Sequence, residues 1–309
     1  VCEYPHRDYK ELRDSLSNYL GIPAANIIPG NGATELIGLT FQVLCPKNAL
    51  LLAPTYSEYT REISLAGGSY KEYFLKEEND FHLDLEDLKN HLTKDVDLFA
   101  FCNPNNPTSG ALDTGEIREI LEHCRRQGIF VMIDETYVEF APDIQKISAV
   151  PLVPDYDNLM ILRGTSKFFA VPGLRLGYGL CSNSRFLEEL SRIKNPWTIN
   201  TLAAVSGGVM FQDESYIQRT RSLISEERKR CLDILSQCPQ YKTYPAFANF
   251  LLVGLMDGTT SFEMFEKCIR KNLMIRDCSS FEGLQGEYIR FCIQTKEAND
   301  RLLKILTEQ

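Results

Sequence analysis

The stretch Gly164-Thr165-Ser166-Lys167-Phe168-Phe169-Ala170-Val171-Pro172-Gly173-Leu174-Arg175 follows a short apolar run, Leu159-Met160-Ile161-Leu162. The run reads as a buried strand that ends in glycine, hydroxyls and one lysine, with an arginine further along the same segment. Apolar neighbours on both sides of Lys167 argue against a solvated surface position, and a buried ammonium needs a partner. Two readings stand for this segment alone. Lys167 is a structural cation paired with a carboxylate at a strand end, or it is an amine held where its basicity falls and it attacks carbonyl groups.

Working outward, strand and helix signals alternate, which implies an α/β architecture with a mostly parallel sheet. Ala49 to Ala53, Leu98 to Cys102 and Ile129 to Ile133 are further short apolar runs bounded by polar or turn residues, and they read as buried central strands. Helical spacing covers Asp8 to Leu20, which stops at Gly21, as well as Asp84 to Leu92 and Thr114 to Gln127, the last followed by Gly128. Beyond Asn195-Pro196-Trp197 the texture changes, and a charged amphipathic helix from about Glu214 to Leu235 opens what reads as a second domain. The expected division is an N-terminal segment of a small domain at 1–24, a large domain at 25–200 and the rest of the small domain at 201–309. The abrupt start at Val1 suggests that a segment precedes it.

The chain has 309 residues, 44% of them hydrophobic, enough for a sizeable core. A net charge of -9 argues against nucleic acid or an anionic membrane as a partner. No apolar run is long enough to span a bilayer. The ten cysteines are scattered without a CxxC pair and read as buried thiols in a reducing compartment, hence the cytoplasm. The four histidines have no ligand spacing, so no metal site is expected.

Three other segments carry chemistry. Pro29-Gly30-Asn31-Gly32-Ala33-Thr34-Glu35 turns into a helix whose N-terminus would cradle an anion such as phosphate, unless it is an ordinary capped turn. Asn103-Pro104-Asn105-Asn106-Pro107-Thr108-Ser109-Gly110 leaves a buried strand at the sheet edge where α/β ligand sites lie; its asparagines are fixed amide donors or members of an Asx/Pro turn. Asp134, in Val131-Met132-Ile133-Asp134-Glu135-Thr136-Tyr137, ends an apolar strand and needs a cation or several hydrogen bonds. A protonated pyridine nitrogen would serve, and so would loop amides.

Taken in order, Gly32-Ala33-Thr34, Pro54-Thr55-Tyr56, Asn103 to Gly110, Asp134 to Tyr137, Ser166-Lys167 and Arg175 closely resemble the pyridoxal 5′-phosphate (PLP)-dependent aminotransferases of classes I and II, of fold type I. The resemblance spans essentially the whole chain. It implies a seven-stranded, mostly parallel sheet between helices plus a smaller α+β domain. It also implies a catalytic set of Lys167, Asp134 and Tyr137. Lys167 would form the internal aldimine and move protons, Asp134 would hold the pyridine nitrogen, and Asn106 and Tyr137 would bond the ring 3-oxygen. Tyr56 would stack on the ring, while Gly32, Ala33, Thr34, Ser166 and Arg175 would bind the phosphate. Tyr4 matches the tyrosine that reaches the phosphate of the neighbouring subunit, which implies a homodimer with shared sites. Arg290 matches the arginine that grips the substrate carboxylate, and Asn249 would line the substrate side. One position departs from the pattern: three residues before the lysine the family usually has Ser or Thr, and here stands Gly164. Thr165 should point away from the phosphate.

Within the family, two subgroups that act on small phosphorylated substrates compete. Lys194 to Asn200, Pro172 to Tyr178 and Ile275 to Leu284 look more like the threonine-phosphate decarboxylases of cobalamin biosynthesis than the histidinol-phosphate aminotransferases. Arg276, in the last of these, is a second candidate substrate anchor or a surface ion-pair residue. A noncatalytic, effector-sensing aminotransferase-like domain is the reading from another class; retention of Lys167, Asp134 and Arg290 argues against it.

Overall fold

Residues of each central strand alternate between two apolar clusters, one on each face of a sheet. Leu50, Leu52, Phe99, Phe101, Val131, Ile133 and Ile161 join one cluster. Their strand neighbours Leu51, Leu98, Ala100, Met132, Met160 and Leu162 join the other. This two-sided burial follows from the period of two along a strand and explains why these runs are apolar throughout.

The computed structural model describes residues 2–308. Its strands are β1 (Ile27–Gly30), β2 (Asn48–Ala53), β3 (Ser69–Phe74), β4 (Leu98–Cys102), β5 (Phe130–Asp134), β6 (Leu159–Gly164), β7 (Gly177–Leu180), β8 (Tyr241–Thr243), β9 (Phe250–Leu255), β10 (Arg276–Asp277) and β11 (Tyr288–Cys292). The helices are α1 (Lys10–Leu20), α2 (Gly32–Leu44), α3 (Glu58–Leu65), α4 (Leu85–His91), α5 (Thr114–Gln127), α6 (Ile144–Ile147), α7 (Ser184–Ile193), α8 (Thr201–Met210), α9 (Glu214–Leu235), α10 (Ser261–Ile269) and α11 (Lys296–Thr307). A seven-stranded sheet has the order β1-β7-β6-β5-β4-β2-β3, in which only β7 runs antiparallel to its neighbours. The mostly parallel seven-stranded sheet expected from the resemblance is therefore present. A second sheet, β10-β11-β9-β8, is antiparallel throughout.

The helix between β4 and β5 shows how local sequence sets these boundaries. Asp113 and Glu116 form a reciprocal capping box at the start of α5, and Gly128 ends it at φ 79°. Ile117, Ile120, Leu121 and Cys124 make one buried stripe. The α5 bounds match the sequence reading, and so do those of β4 and α9. The first helix begins at Lys10 rather than Asp8, because Tyr9 sits in the left-handed region and the chain before it is not helical.

In-register pairing aligns the carboxyl ends of the parallel strands. Cys102 stands opposite Asp134, and Asp134 opposite Leu162. The segments after β2, β4, β5 and β6 therefore leave the sheet at one edge, where ligands of open α/β sheets bind. Just behind that edge Arg163 is buried between Glu135, at 2.7 Å, and Glu139, at 3.0 Å. Burial opposes its charge, yet Glu135 and Glu139 outweigh it and lift the guanidinium pKa above its ordinary value. The cluster ties β6 to the turn after Asp134, and Tyr19 of α1 and Arg221 of α9 both reach Glu139. No helix among the described residues is long and apolar enough to cross a membrane.

Candidate active site

Three glycines meet at the sheet edge. Gly30 and Gly164 both pair with Gly177 from opposite sides. A side chain on Gly177 would collide with the backbone of Gly32 and Ala33, so β7 can approach the N-terminus of α2 only as glycine. Gly32 sits at φ +76°, and a Cβ there would lie 2.5 Å from an Arg175 guanidinium nitrogen. The absence of that carbon lets Arg175 lie against the first turn of α2. Asn31 does not cap this turn with its side chain, which donates instead to the Thr198 carbonyl. The leading amides of α2 and the guanidinium thus converge on one space, an arrangement that suits a phosphate dianion.

At the other end of that space Asp134 is only 5% exposed. Its Oδ1 accepts from the Thr136 backbone N–H at 2.9 Å and from the Thr136 hydroxyl at 2.5 Å, and its Oδ2 accepts from the Tyr59 hydroxyl at 2.7 Å. Burial pushes the carboxyl above its ordinary pKa, and these three donors work against that rise. Tyr59 is fully buried on α3 and was not singled out from the sequence. Its only signal there is spacing: it follows Tyr56 by one helical turn.

A cavity of about 320 Å³ joins the two ends. Gly32, Ala33, Thr34, Ser166 and Arg175 line one side of it, and Tyr56, Asn106, Asp134, Tyr137 and Lys167 line the rest. The structure thus brings together ten of the fourteen residues singled out from the sequence. Tyr137 is further fixed by edge-on packing against Phe250, 5.0 Å between ring centres. Burial pushes its phenol pKa upward.

Lys167 departs from the sequence expectation. Its side chain is exposed to this open space, while Phe168 and Phe169 are the buried members of the segment. The reason is a tight turn: the Phe169 N–H donates to the Thr165 carbonyl, and that of Ala170 to the Lys167 carbonyl. In such a turn, neighbouring residues do not share a face. Thr165 points inward as expected, its hydroxyl donating to the Leu176 carbonyl at 3.0 Å.

The remaining four candidates lie outside this cavity. Arg276 and Arg290 line an adjoining cavity of about 480 Å³ that shares Tyr56 and Asn106 with the first. They stand directly opposite each other on β10 and β11. Arg290 donates to the Asn106 side-chain oxygen and lies over the Phe250 ring at 4.9 Å. Arg276 donates to the Ser280 hydroxyl at 2.8 Å. Asn249 lines neither cavity, and its buried Oδ1 has no hydrogen-bond partner among the described residues. Tyr4 is 79% exposed and packs on Trp197, away from both cavities.

Comparison with known proteins fits this geometry. The family model for aminotransferase class I and II matches residues 1–306. A threonine-phosphate decarboxylase of Salmonella typhimurium is 32% identical over 306 residues, 99% of this chain and 83% of that one. A histidinol-phosphate aminotransferase of Methanococcus maripaludis is 33% identical over 309 residues, 99% of this chain and 82% of that one. The crystal structure of a histidinol-phosphate aminotransferase from Clostridium acetobutylicum superposes with a TM-score of 0.93 at 30% identity, covering 99% of this chain and 90% of that chain. The chain belongs to the class I and II aminotransferase family, and it is a PLP-dependent enzyme.

The cavity fits that cofactor at both ends: a cradle for the phosphate that exists only because Gly32 has no Cβ, and a buried carboxylate for a cationic ring nitrogen. Two substitutions test the fit. A Cβ on Gly164 would stand 3.8 Å from Ala33 Cβ and 3.9 Å from the Ser166 hydroxyl, with no clash. Gly164→Ser is therefore expected to add a phosphate contact and tighten PLP binding about tenfold, read by fluorescence titration of the apoprotein. Weaker or unchanged binding would contradict that placement of the phosphate. Tyr59→Phe removes one of the three donors to Asp134, raises the carboxyl pKa further and is expected to weaken PLP binding about tenfold at neutral pH, with a smaller loss as pH increases. A loss that grows with pH would show that the carboxylate is not what the tyrosine supports.

Proposed function

We propose that this enzyme decarboxylates L-threonine O-3-phosphate. The observation that carries the reading is the Arg276–Arg290 pair. Like charges directly across a ladder repel, and here both guanidiniums face one cavity beside the cofactor space. A substrate with a carboxylate and a phosphate on one short carbon frame offsets that repulsion twice, and the decarboxylase of Salmonella typhimurium among the relatives supports the choice. Cobalamin biosynthesis is the corresponding pathway, and the cytoplasm is the proposed location.

In this reading Arg175, Ser166 and the first turn of α2 would hold the cofactor phosphate, and Asp134 would keep a proton on the ring nitrogen. Asn106 and Tyr137 would bond the ring 3-oxygen, and Tyr56 would cover one ring face. Bound PLP supplies an electron sink for bond breaking at Cα. The protein would decide which bond breaks through the orientation its own residues give the substrate. Two anchors on adjacent strands fix the substrate at two points and so set that choice. Lys167, exposed at the cavity, is placed to deliver or remove a proton at Cα.

A second reading, transamination of histidinol phosphate, has its own support in the same cavity. Glu72 and Glu282 also line it, and burial together with Glu282 raises the Glu72 carboxyl pKa. Such a carboxyl pair suits an imidazole N–H. The residue division 1–24 and 201–309 around a cofactor domain of 25–200 is proposed alongside, as is a homodimer in which Tyr4 of each copy reaches the phosphate cradle of the other. Supporting the dimer, Leu202, Val205 and Val209 form one apolar face of α8, each at least 60% exposed.

Incubation of the PLP-loaded enzyme with L-threonine O-3-phosphate is expected to release CO2 and give 1-amino-2-propanol phosphate. Transfer of the amino group of histidinol phosphate to a keto acid, without CO2 release from the first substrate, would establish the second reading. Light scattering is expected to give a dimer that Val205→Asp converts to monomers with weaker PLP binding; a monomeric wild type would contradict the shared site.

A further inference from the structure

Ser109 has a backbone that serine rarely adopts, at φ +64°, and it is fully buried. Its contacts explain why the conformation is kept. The Ser109 carbonyl accepts from the Phe247 N–H at 2.8 Å, and its hydroxyl accepts from the Ala248 N–H at 3.0 Å. From the other side, one guanidinium nitrogen of Arg228 donates to the carbonyls of Phe247 and Ala248, at 3.3 and 2.8 Å, and to that of Phe140 at 3.0 Å. Arg228 is 3% exposed and its contacts are carbonyl oxygens; burial pushes its pKa down to about 10. The two residues before Asn249 are thus held at both amides and both carbonyls.

This clasp joins the two sheets beside the active site. On one side, Ser109 belongs to the Asn106 loop, which is closed on itself: the Ser109 N–H donates to the Asn105 carbonyl, and the Asn105 side chain accepts from the Thr108 N–H and hydroxyl. On the other side, Ala248 leads through Asn249 to Phe250, the ring that lies under Arg290 and against Tyr137. A second tie between the same parts is the Arg290–Asn106 hydrogen bond. That bond uses groups a substrate anion and the cofactor ring must share, whereas the Ser109 clasp uses none of them.

The geometry points to Ser109 as a positioning residue: its hydroxyl keeps the Asn106 loop in register with the second sheet, so that Asn106 and Arg290 stay aligned when substrate engages the arginine. The inference rests on the proposed roles of Asn106 and Arg290. It requires the hydroxyl, since the backbone carbonyl contact would survive any substitution.

Two variants separate position from stability. Ser109→Gly removes the hydroxyl and relieves the left-handed backbone, whereas Ser109→Ala removes it and keeps the strain, so their melting temperatures should differ. In both, kcat/KM for the phosphorylated substrate is expected to fall about tenfold. The pH midpoint of the visible band of the PLP-loaded protein is expected to move by the same amount in both variants. If both variants keep the wild-type midpoint and kcat/KM, or if the changes follow melting temperature and appear in Ser109→Ala alone, the positioning role is overturned while the cofactor reading stands. If the wild type gives no visible band with PLP, the cofactor reading fails, and the inference fails with it.

Discussion

Placing a carboxyl group at the end of a buried strand is the constraint around which this active site is organised. An isolated buried carboxylate is strongly disfavoured, and the group responds by raising its pKa unless donors or a cation compensate. Asp134 has three donors, from Thr136 and Tyr59, and still opens toward a cavity. It is partly compensated and is shaped to accept one more positive partner. The strand order then does the rest: β6 lies next to β5, so the chain leaving β6 brings Lys167 and Ser166 to the same cavity, and the glycine row brings the α2 N-terminus and Arg175 opposite.

The second sheet supplies the complementary charge. Asp134 is a buried carboxyl group that a cation would stabilise, whereas Arg276 and Arg290 are two cations that anions would stabilise, set side by side by the register of β10 and β11. Family membership fixes the cofactor chemistry but leaves open the bond that breaks, since the relatives include both a decarboxylase and aminotransferases. The proposal assigns that choice to the second cavity, which two arginines and two glutamates line.

Much of this was legible in the sequence, for identifiable physical reasons. Strands buried on both faces are continuous apolar runs, so β2, β4, β5 and β6 could be read directly. The edge strand β3, Ser69–Phe74, is mostly exposed and polar, and carried no such signal. The candidate cofactor-binding residues sit at strand ends and turns with characteristic neighbours, and ten of them line one cavity. Supporting residues escaped because their role depends on tertiary contacts: Tyr59 reaches Asp134 across 75 positions and Ser109 reaches Ala248 across 139. The exposure of Lys167 was misread because its apolar neighbours were taken to bury it too, whereas the segment is a turn in which neighbouring residues do not share a face.

The central claim is that Lys167 is the residue to which the cofactor is joined, with Asp134 opposite. Borohydride reduction of the PLP-loaded protein, followed by mass mapping of its peptides, tests this directly. The account predicts a single pyridoxyl addition on the peptide containing Lys167, absent in Lys167→Ala. Addition at another lysine, or none in a protein that retains PLP, would contradict it.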